Sequence, residues 1–246
     1  MPDPYTLPFV AAAFVLAGVV KGMIGLGLPT VGIGLLSLVM PPAEASALLL
    51  GPSLVTNLWQ LLAGPHVGPL LRRLRGMMAG IVAGTLAGSG LIAAGSPRTA
   101  AALGLALVAY AVLGLTGARP AVPPRAERWA GPLTGLATGV VTGATGVFAI
   151  PAVPYLSALG LARDDLVQAL GLSFTVSTLA LGAGMAWHGA VPLHALGASA
   201  LALAPAMAGL ALGTWLRARV QPELFRQVFL LGLLALGVES AWRGLA

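Results

Sequence analysis

The composition of this 246-residue chain is that of a membrane protein: 58% of its residues are hydrophobic, 8% are charged, and its mean hydropathy is +0.94. A soluble domain carries about 25% charged residues, so a soluble fold is excluded. The net charge of +6 does not indicate nucleic-acid binding, because the arginines lie in short segments between apolar stretches, where basic residues set membrane orientation. The chain has no cysteine, which excludes disulfides, thiol catalysis and cysteine-ligated metals.

Ten apolar pieces follow one another along the chain, five in each half. The predicted pieces are Leu7–Val20, Leu28–Met40, Ala45–Leu62, Gly76–Ala94 and Thr99–Gly117, then Trp129–Thr142, Pro151–Leu161, Leu166–Trp187, Leu193–Leu216 and Leu224–Trp242. At 1.5 Å per residue the first two pieces of each half reach about 16 to 21 Å, short of the ~30 Å hydrocarbon core. We therefore expect an all-α, polytopic membrane protein whose short, Gly/Pro-broken helices meet near the midplane.

The two halves match each other residue by residue, which indicates an internal duplication. Matching pairs are Gly22 and Gly143, Gly25 and Gly146, Glu44 and Asp164, Gly51 and Gly171, Ser53 and Ser173, Gly84 and Gly209, Gly88 and Gly213, and Pro97 and Pro222. We predict a single transmembrane transporter domain over residues 1–246, with repeat 1 at residues 5–118 and repeat 2 at residues 129–243.

The basic residues distinguish two arrangements of these repeats. If the two short pieces of each half make two crossings, or re-enter and make none, the second half is inverted. One face then holds Arg72, Arg73, Arg75, Arg119, Arg125, Arg128, Arg163, Arg217, Arg219 and Arg226, and the other holds only Arg98 and Arg243. A single broken crossing would divide the larger group between both faces. The positive-inside rule thus favours two inverted five-segment repeats with both termini outside.

A glycine cluster followed by proline separates the two short pieces of each half. The candidate binding glycines are Gly22, Gly25 and Gly27 before Pro29, and Gly143 and Gly146 before Pro151. Proline suits the first position of a helix, whose free N–H groups and positive dipole end bind anions. Two such helix starts near the midplane could hold one anion between them. Close helix packing is the alternative role for these glycines.

Lys21 is the only lysine of the chain and adjoins the first glycine cluster. Ionisable residues inside a membrane are costly and mark functional sites, so Lys21 is a candidate to attract or hold an anion. The alternative is a lysine near a helix end whose ammonium group reaches water. Its counterpart in the second half is Thr142, which leaves both interpretations open.

Small polar side chains recur on one face of the third piece of each half. Ser53, Asn57 and Gln60 are spaced as i, i+4 and i+7, and Ser173 and Ser177 occupy the matching positions of the second half. These side chains could donate hydrogen bonds to the oxygens of an oxyanion. Polar contacts between membrane helices are the alternative.

The remaining ionisable residues do not indicate catalysis or a metal site. Glu44 and Asp164 each lie at the start of a helix, where an acid complements the helix dipole, and we prefer this role to proton coupling. His66, His188 and His194 are expected in loops and have no spacing of a zinc site. No nucleophile, phosphate-binding or dinucleotide motif is present, so neither an enzyme nor a cofactor is predicted.

The stretch Gly18–Pro29, containing Lys-Gly-Met-Ile-Gly-Leu-Gly-Leu-Pro, and its counterpart Gly139–Pro151 resemble the TauE/SafE family of sulfite exporters, also called the toluene-sulfonate uptake permease family. The resemblance covers essentially the whole chain. It implies a multi-pass permease of the bacterial inner membrane for sulfite, sulfonates or related organic anions. The chain departs from the family's glycine runs at Leu26 and at Val147-Phe148-Ala149, and Phe148 is expected to narrow the second loop.

The sequence thus predicts a secondary transporter that carries a small anion by alternating access. Its expected partners are the anion and the lipid bilayer, and no nucleic-acid partner is predicted. A channel or uptake permease for another small solute is the first alternative. A non-transporting membrane subunit of a larger complex is the second. The sequence decides neither the coupling ion nor whether the protein is a homo-oligomer.

Overall fold

Ten α-helices make up the computed structural model of this chain, which describes residues 6–117, 121–217 and 219–245. They are α1 (Thr6–Ile24), α2 (Leu28–Leu36), α3 (Pro42–Leu62), α4 (Val67–Ala93), α5 (Pro97–Thr116), α6 (Glu127–Thr145), α7 (Ala152–Ala158), α8 (Arg163–Trp187), α9 (Leu193–Leu216) and α10 (Pro222–Leu245). These ranges contain no strand, and the predicted all-helical class with ten helical segments is confirmed. Arg119, used in the topology prediction, lies outside the described residues.

Seven of these helices are long and apolar enough to cross a membrane, namely α1, α3, α4, α5, α8, α9 and α10. The protein is therefore a multi-pass membrane protein. All five tryptophans of the chain are exposed and lie within a turn of a helix end, as in the aromatic belts at the two membrane surfaces. They are Trp59, Trp129, Trp187, Trp215 and Trp242.

The prediction that both early pieces of each half are half-length is wrong for α1 and α6. Each has 19 residues, about 28 Å of helix, because α1 continues past Val20 to Ile24 and α6 continues past Thr142 to Thr145. Only α2, with nine residues, and α7, with seven, are too short to cross. Gly22 and Gly143 remain helical because neighbouring helices pack directly against them.

Helix α4 begins at Val67, nine residues before the predicted start at Gly76, and so includes a basic first third. Arg73 in this segment donates two hydrogen bonds to the Glu127 carboxylate at the start of α6, at 2.9 and 2.7 Å. The bidentate pair holds the second turn of α4 beside the first turn of α6.

Two helix pairs pack through glycines spaced four residues apart. A Cβ on Gly80 of α4 would clash with the backbone at Pro132 and Leu136 of α6, and one on Gly84 with the backbone at Leu136 and Val140. Moving four residues forward along α4 moves the contact four residues forward along α6, so the two helices run parallel. The pair of α1 and α9 is built in the same way. Its glycines are Gly18, Gly22, Gly209 and Gly213. Small residues at this spacing let helix backbones approach closely in membranes.

Two other pairs run antiparallel. Along α3 and α8, Leu50 lies near Gly182, and Leu61 lies against Gly171. Along α5 and α10, Gly104 packs against Ala241 and Gly114 against Leu230. The third helix of the first half thus runs opposite to the third helix of the second half, and the two fifth helices also run opposite to each other.

Candidate functional site

Both interruptions between the early helices begin with the same backbone geometry. The N–H of Gly25 donates to the carbonyl oxygen of Lys21 at 2.7 Å, and the N–H of Gly146 donates to that of Thr142 at 2.7 Å. Both glycines are left-handed, with φ of 84° and 73°, which a residue with a Cβ rarely adopts. Each long helix therefore ends at the second predicted glycine, and the chain turns there toward a short helix.

The two prolines lie near, but not at, the predicted first helical position. Pro29 is the second residue of α2, which Gly27 precedes with φ of 107°. Pro151 is the cap residue just before Ala152, the first residue of α7. The prediction is wrong by one position in each case. Both prolines nonetheless lie at the start of a helix. The first N–H groups of a helix have no intrahelical acceptor, so proline, which has no N–H, loses no hydrogen bond there.

A small cavity of about 10 Å³, which we call the central cavity, lies between the start of α2 and the second interruption. Pro29 borders it from the first turn of α2, and Gly146 and Phe148 border it from the second interruption. The other lining residues are Ser46, Leu49, Leu50 and Ser53 of α3 and Leu181 of α8. This volume is close to the minimum for one water molecule, so a larger solute requires helix movement to enter. Phe148 is buried, lines this cavity and packs against Phe174 with ring centroids 6.4 Å apart.

Buried serine hydroxyls without a hydrogen-bond partner among the described residues cluster on α3 and α8. Ser46 and Ser53 line the cavity, whereas Ser173 and Ser177 are buried on α8 outside its lining. All four are at most 2% exposed. A buried polar group left unpaired costs about 1–3 kcal/mol, and such groups are rare in folded proteins. Of these four serines, only Ser46 and Ser53 lie where a solute in the cavity could accept a hydrogen bond from them.

Lys21 forms a polar chain with two helices. Its ammonium group donates to Oδ1 of Asn57 on α3, whose Nδ2 lies 3.4 Å from Oγ1 of Thr178 on α8. The Thr178 hydroxyl in turn donates to the carbonyl oxygen of Phe174 at 2.7 Å. Lys21 is only 3% exposed, so the alternative in which its charge reaches water is wrong. Within the described residues no carboxylate pairs with it.

The five candidate glycines divide into two groups. Cβ atoms on Gly22 and Gly143 would clash with the backbones of α9 and α4, so these two residues serve helix packing. The packing of Gly22 and Gly143 against neighbouring helices does not support their predicted role in substrate binding. Gly25 has open space where a Cβ would stand, Gly27 faces Val20 and Phe229 side chains, and Gly146 faces the Ser46 hydroxyl.

Other predicted polar residues have structural roles. Gln60 donates to the carbonyl oxygen of Val167 at 2.8 Å and so joins the end of α3 to the start of α8, apart from the cavity. Glu44 and Asp164 are exposed in the first turns of α3 and α8, as the dipole interpretation requires. His194 lies in the first turn of α9, so its predicted loop position is wrong. No group of metal-binding side chains is found in the described ranges.

Two residues of this region were not predicted. Ser46 lies seven residues before Ser53 and therefore on the same face of α3, a spacing that the sequence already contained. Thr178 follows Ser177, and its contact with Asn57 depends on the antiparallel packing of α3 against α8.

Comparison with known proteins assigns the chain to a family. The family described as "Sulfite exporter TauE/SafE" matches residues 10–240, nearly the whole chain. No curated protein and no solved structure matches it. The matched range includes both glycine interruptions and the polar residues of α3 and α8. This chain belongs to the sulfite exporter TauE/SafE family.

Proposed function

We propose that this protein is a secondary transporter that exports sulfite or a short sulfonate across the bacterial inner membrane. The family supports transport of sulfur-containing anions in general. The observation that carries the proposal is the buried Lys21, a cation without a carboxylate partner among the described residues. An isolated charge inside a membrane is costly, and a bound anion would compensate it.

The surroundings of Lys21 suit an oxyanion. Asn57, its partner, lies one helical turn after Ser53, which lines the central cavity and whose hydroxyl has no partner among the described residues. At α2, a helix start with free N–H groups adds a positive dipole end beside the same cavity. Sulfite and sulfonates present several acceptor oxygens, whereas a cation would be repelled by Lys21.

An alternating-access mechanism follows from inverted repeats, which we propose for residues 5–118 and 129–243. The antiparallel directions of α3 against α8 and of α5 against α10 support the inversion, because two repeats of the same orientation would place these pairs parallel. The arginine distribution supports the same topology, with the Arg72 and Arg217 ends in the cytoplasm. Exchange of conformation between the repeats would then expose one central site to each side in turn.

The membrane potential supports the export direction. An inside-negative potential drives a monovalent anion outward by about 2.3 kcal/mol per 100 mV, so export needs no coupled ion. Uptake of the anion would have to overcome the same electrical free energy and would therefore require a coupled ion.

Flux from liposomes tests the proposal. Purified protein is reconstituted with labelled sulfite inside, and an inside-negative potassium diffusion potential is imposed. We expect efflux above that of protein-free liposomes, and a Lys21→Gln variant should raise the apparent KM about 10-fold or more, since hydrogen bonds to charged groups contribute about 1.5–3 kcal/mol. Arg98→Gln, which removes an exposed cation at the predicted outer face, is the matched control and should leave KM unchanged. Selective flux of a neutral or cationic solute, or no flux above background, would contradict the proposal.

A further inference from the structure

A second, larger cavity of about 450 Å³, which we call the cleft, opens between α5, α7 and α10. Val153 and Ser157 border it from α7, Tyr110 from α5, and Arg226 and Phe229 from α10. Its volume lies within the range of small-molecule sites, whereas the volume of the central cavity does not. It therefore has the size required to admit a small organic anion.

The cleft marks an asymmetry between the two short helices. Helix α2 packs onto both α5 and α10: a Cβ on its Gly34 would lie 3.3 Å from Leu107 and 3.5 Å from Leu236. Eight of the nine residues of α2 are buried. Helix α7 instead borders the cleft, and its Ser157 is exposed. One short helix is thus docked against α5 and α10, while its counterpart lies beside an open space.

The cleft combines a cationic group with a path toward the first interruption. Arg226 is the one basic residue among the described residues of its lining. It donates to the carbonyl oxygen of Gly114 at 2.7 Å and lies 3.4 Å from the Glu223 carboxylate. Leu26, in the interruption between α1 and α2, lines the cleft together with Phe229. The Phe229 ring lies 3.6 Å from the position of a Cβ on Gly27, so this ring covers the interruption from the cleft side.

We propose that the cleft between α5, α7 and α10 is the cytoplasmic access route of the transported anion, and that α7 closes it by docking onto α5 and α10 as α2 does in the other half. Arg226 attracts the anion, and Phe229 and Leu26 separate the route from the central cavity. The inference rests on the proposed transport function, which supplies the anion and the cytoplasmic side.

Single cysteines at two matching positions test the route, since the chain has no cysteine of its own. Val153 lines the cleft, and Val31, two residues after Pro29 as Val153 is after Pro151, is buried at 4% exposure. We expect Val153→Cys to react with an impermeant maleimide from the cytoplasmic side, and Val31→Cys to react at least 10-fold more slowly. Ethanesulfonate should slow the labelling of Val153→Cys. Equal reactivity of the two variants, labelling of Val153→Cys only from outside, or labelling unaffected by ethanesulfonate would overturn the route.

A charge series at Arg226 tests the attraction separately. Arg226→Gln should raise the apparent KM for anion presented at the cytoplasmic face several-fold with little change in maximal flux, and Arg226→Lys should retain most of the affinity because it keeps the charge. An equal loss in both variants would contradict the attraction. Labelling needs no transport, so absent flux with the expected labelling pattern would refute the proposed function, whereas normal flux with an unlabelled Val153→Cys would refute the route.

Discussion

Replacing Ser53 by alanine should strengthen the fold and weaken transport. The Ser53 hydroxyl is buried at 1% exposure and has no hydrogen-bond partner among the described residues. Removal of such a group relieves a desolvation cost of about 1–3 kcal/mol without breaking any bond, so the free energy of unfolding of Ser53→Ala should rise by up to that amount. The same change removes one donor to the anion, so we expect the apparent KM for sulfite to rise about 10-fold.

Two further serines provide matched controls. The Ser37 hydroxyl is also buried and unpaired among the described residues but lies outside the cavity lining, so Ser37→Ala should stabilise the protein without affecting flux. Ser199 accepts the N–H of Gly51 and donates to the carbonyl oxygen of Leu48, both at 2.9 Å, so Ser199→Ala should lower stability by about 1–3 kcal/mol.

The assay combines unfolding in mixed micelles by increasing sodium dodecyl sulfate with liposome flux of the same preparations. The expected order of stability is Ser53→Ala and Ser37→Ala above the parent protein, and Ser199→Ala below it. Destabilisation of Ser53→Ala to the level of Ser199→Ala would show that the Ser53 hydroxyl has a structural partner. An unchanged apparent KM for sulfite in Ser53→Ala would show that the Ser53 hydroxyl does not contribute to anion binding.

The remaining predictions concern topology and substrate size. Single cysteines replacing Arg72 and Arg217 should react with an impermeant thiol reagent from the cytoplasmic side only, and one replacing Arg98 from the outside only; labelling of the first two from opposite faces would contradict the inverted repeats. Phe148→Leu should increase flux of an aromatic sulfonate relative to sulfite, because the Phe148 ring lines the central cavity, and an unchanged ratio in competition assays would show that the ring does not limit substrate size.

Hydropathy and helix-breaking residues predicted the number of helices and most of their ends. The end of α3 at Leu62 and both ends of α9 match the predicted pieces, because uncharged apolar stretches bounded by Gly, Pro or Arg leave few alternatives. Helix α1 continues beyond the predicted end at Val20, because the glycine cluster that follows indicates an interruption, whereas packing of Gly22 on α9 keeps this segment helical. The start of α4 was missed because its Glu127 partner for Arg73 is distant in sequence.

The candidate site was predictable in its elements and less so in its contacts. Lys21, Asn57 and Ser53 were each predicted as candidates for anion binding, and the structure brings Lys21 and Asn57 into direct contact. Sequence analysis could not separate packing glycines such as Gly22 from interruption glycines such as Gly25, because both occur in the same cluster. That distinction depends on which helix packs against each residue.

The parallel glycine contacts join the beginning of the chain to a helix near its end. Gly18 and Gly22 of α1 pack against α9, which leaves the ribosome long after α1 has been inserted. At about 5–20 residues per second, α1 waits on the order of ten seconds or more with its glycine face against lipid or the insertion machinery. A chain that stops before α9 therefore presents an unmatched, closely packing surface in the membrane. Quality control of incomplete chains would have a defined feature to recognise on α1.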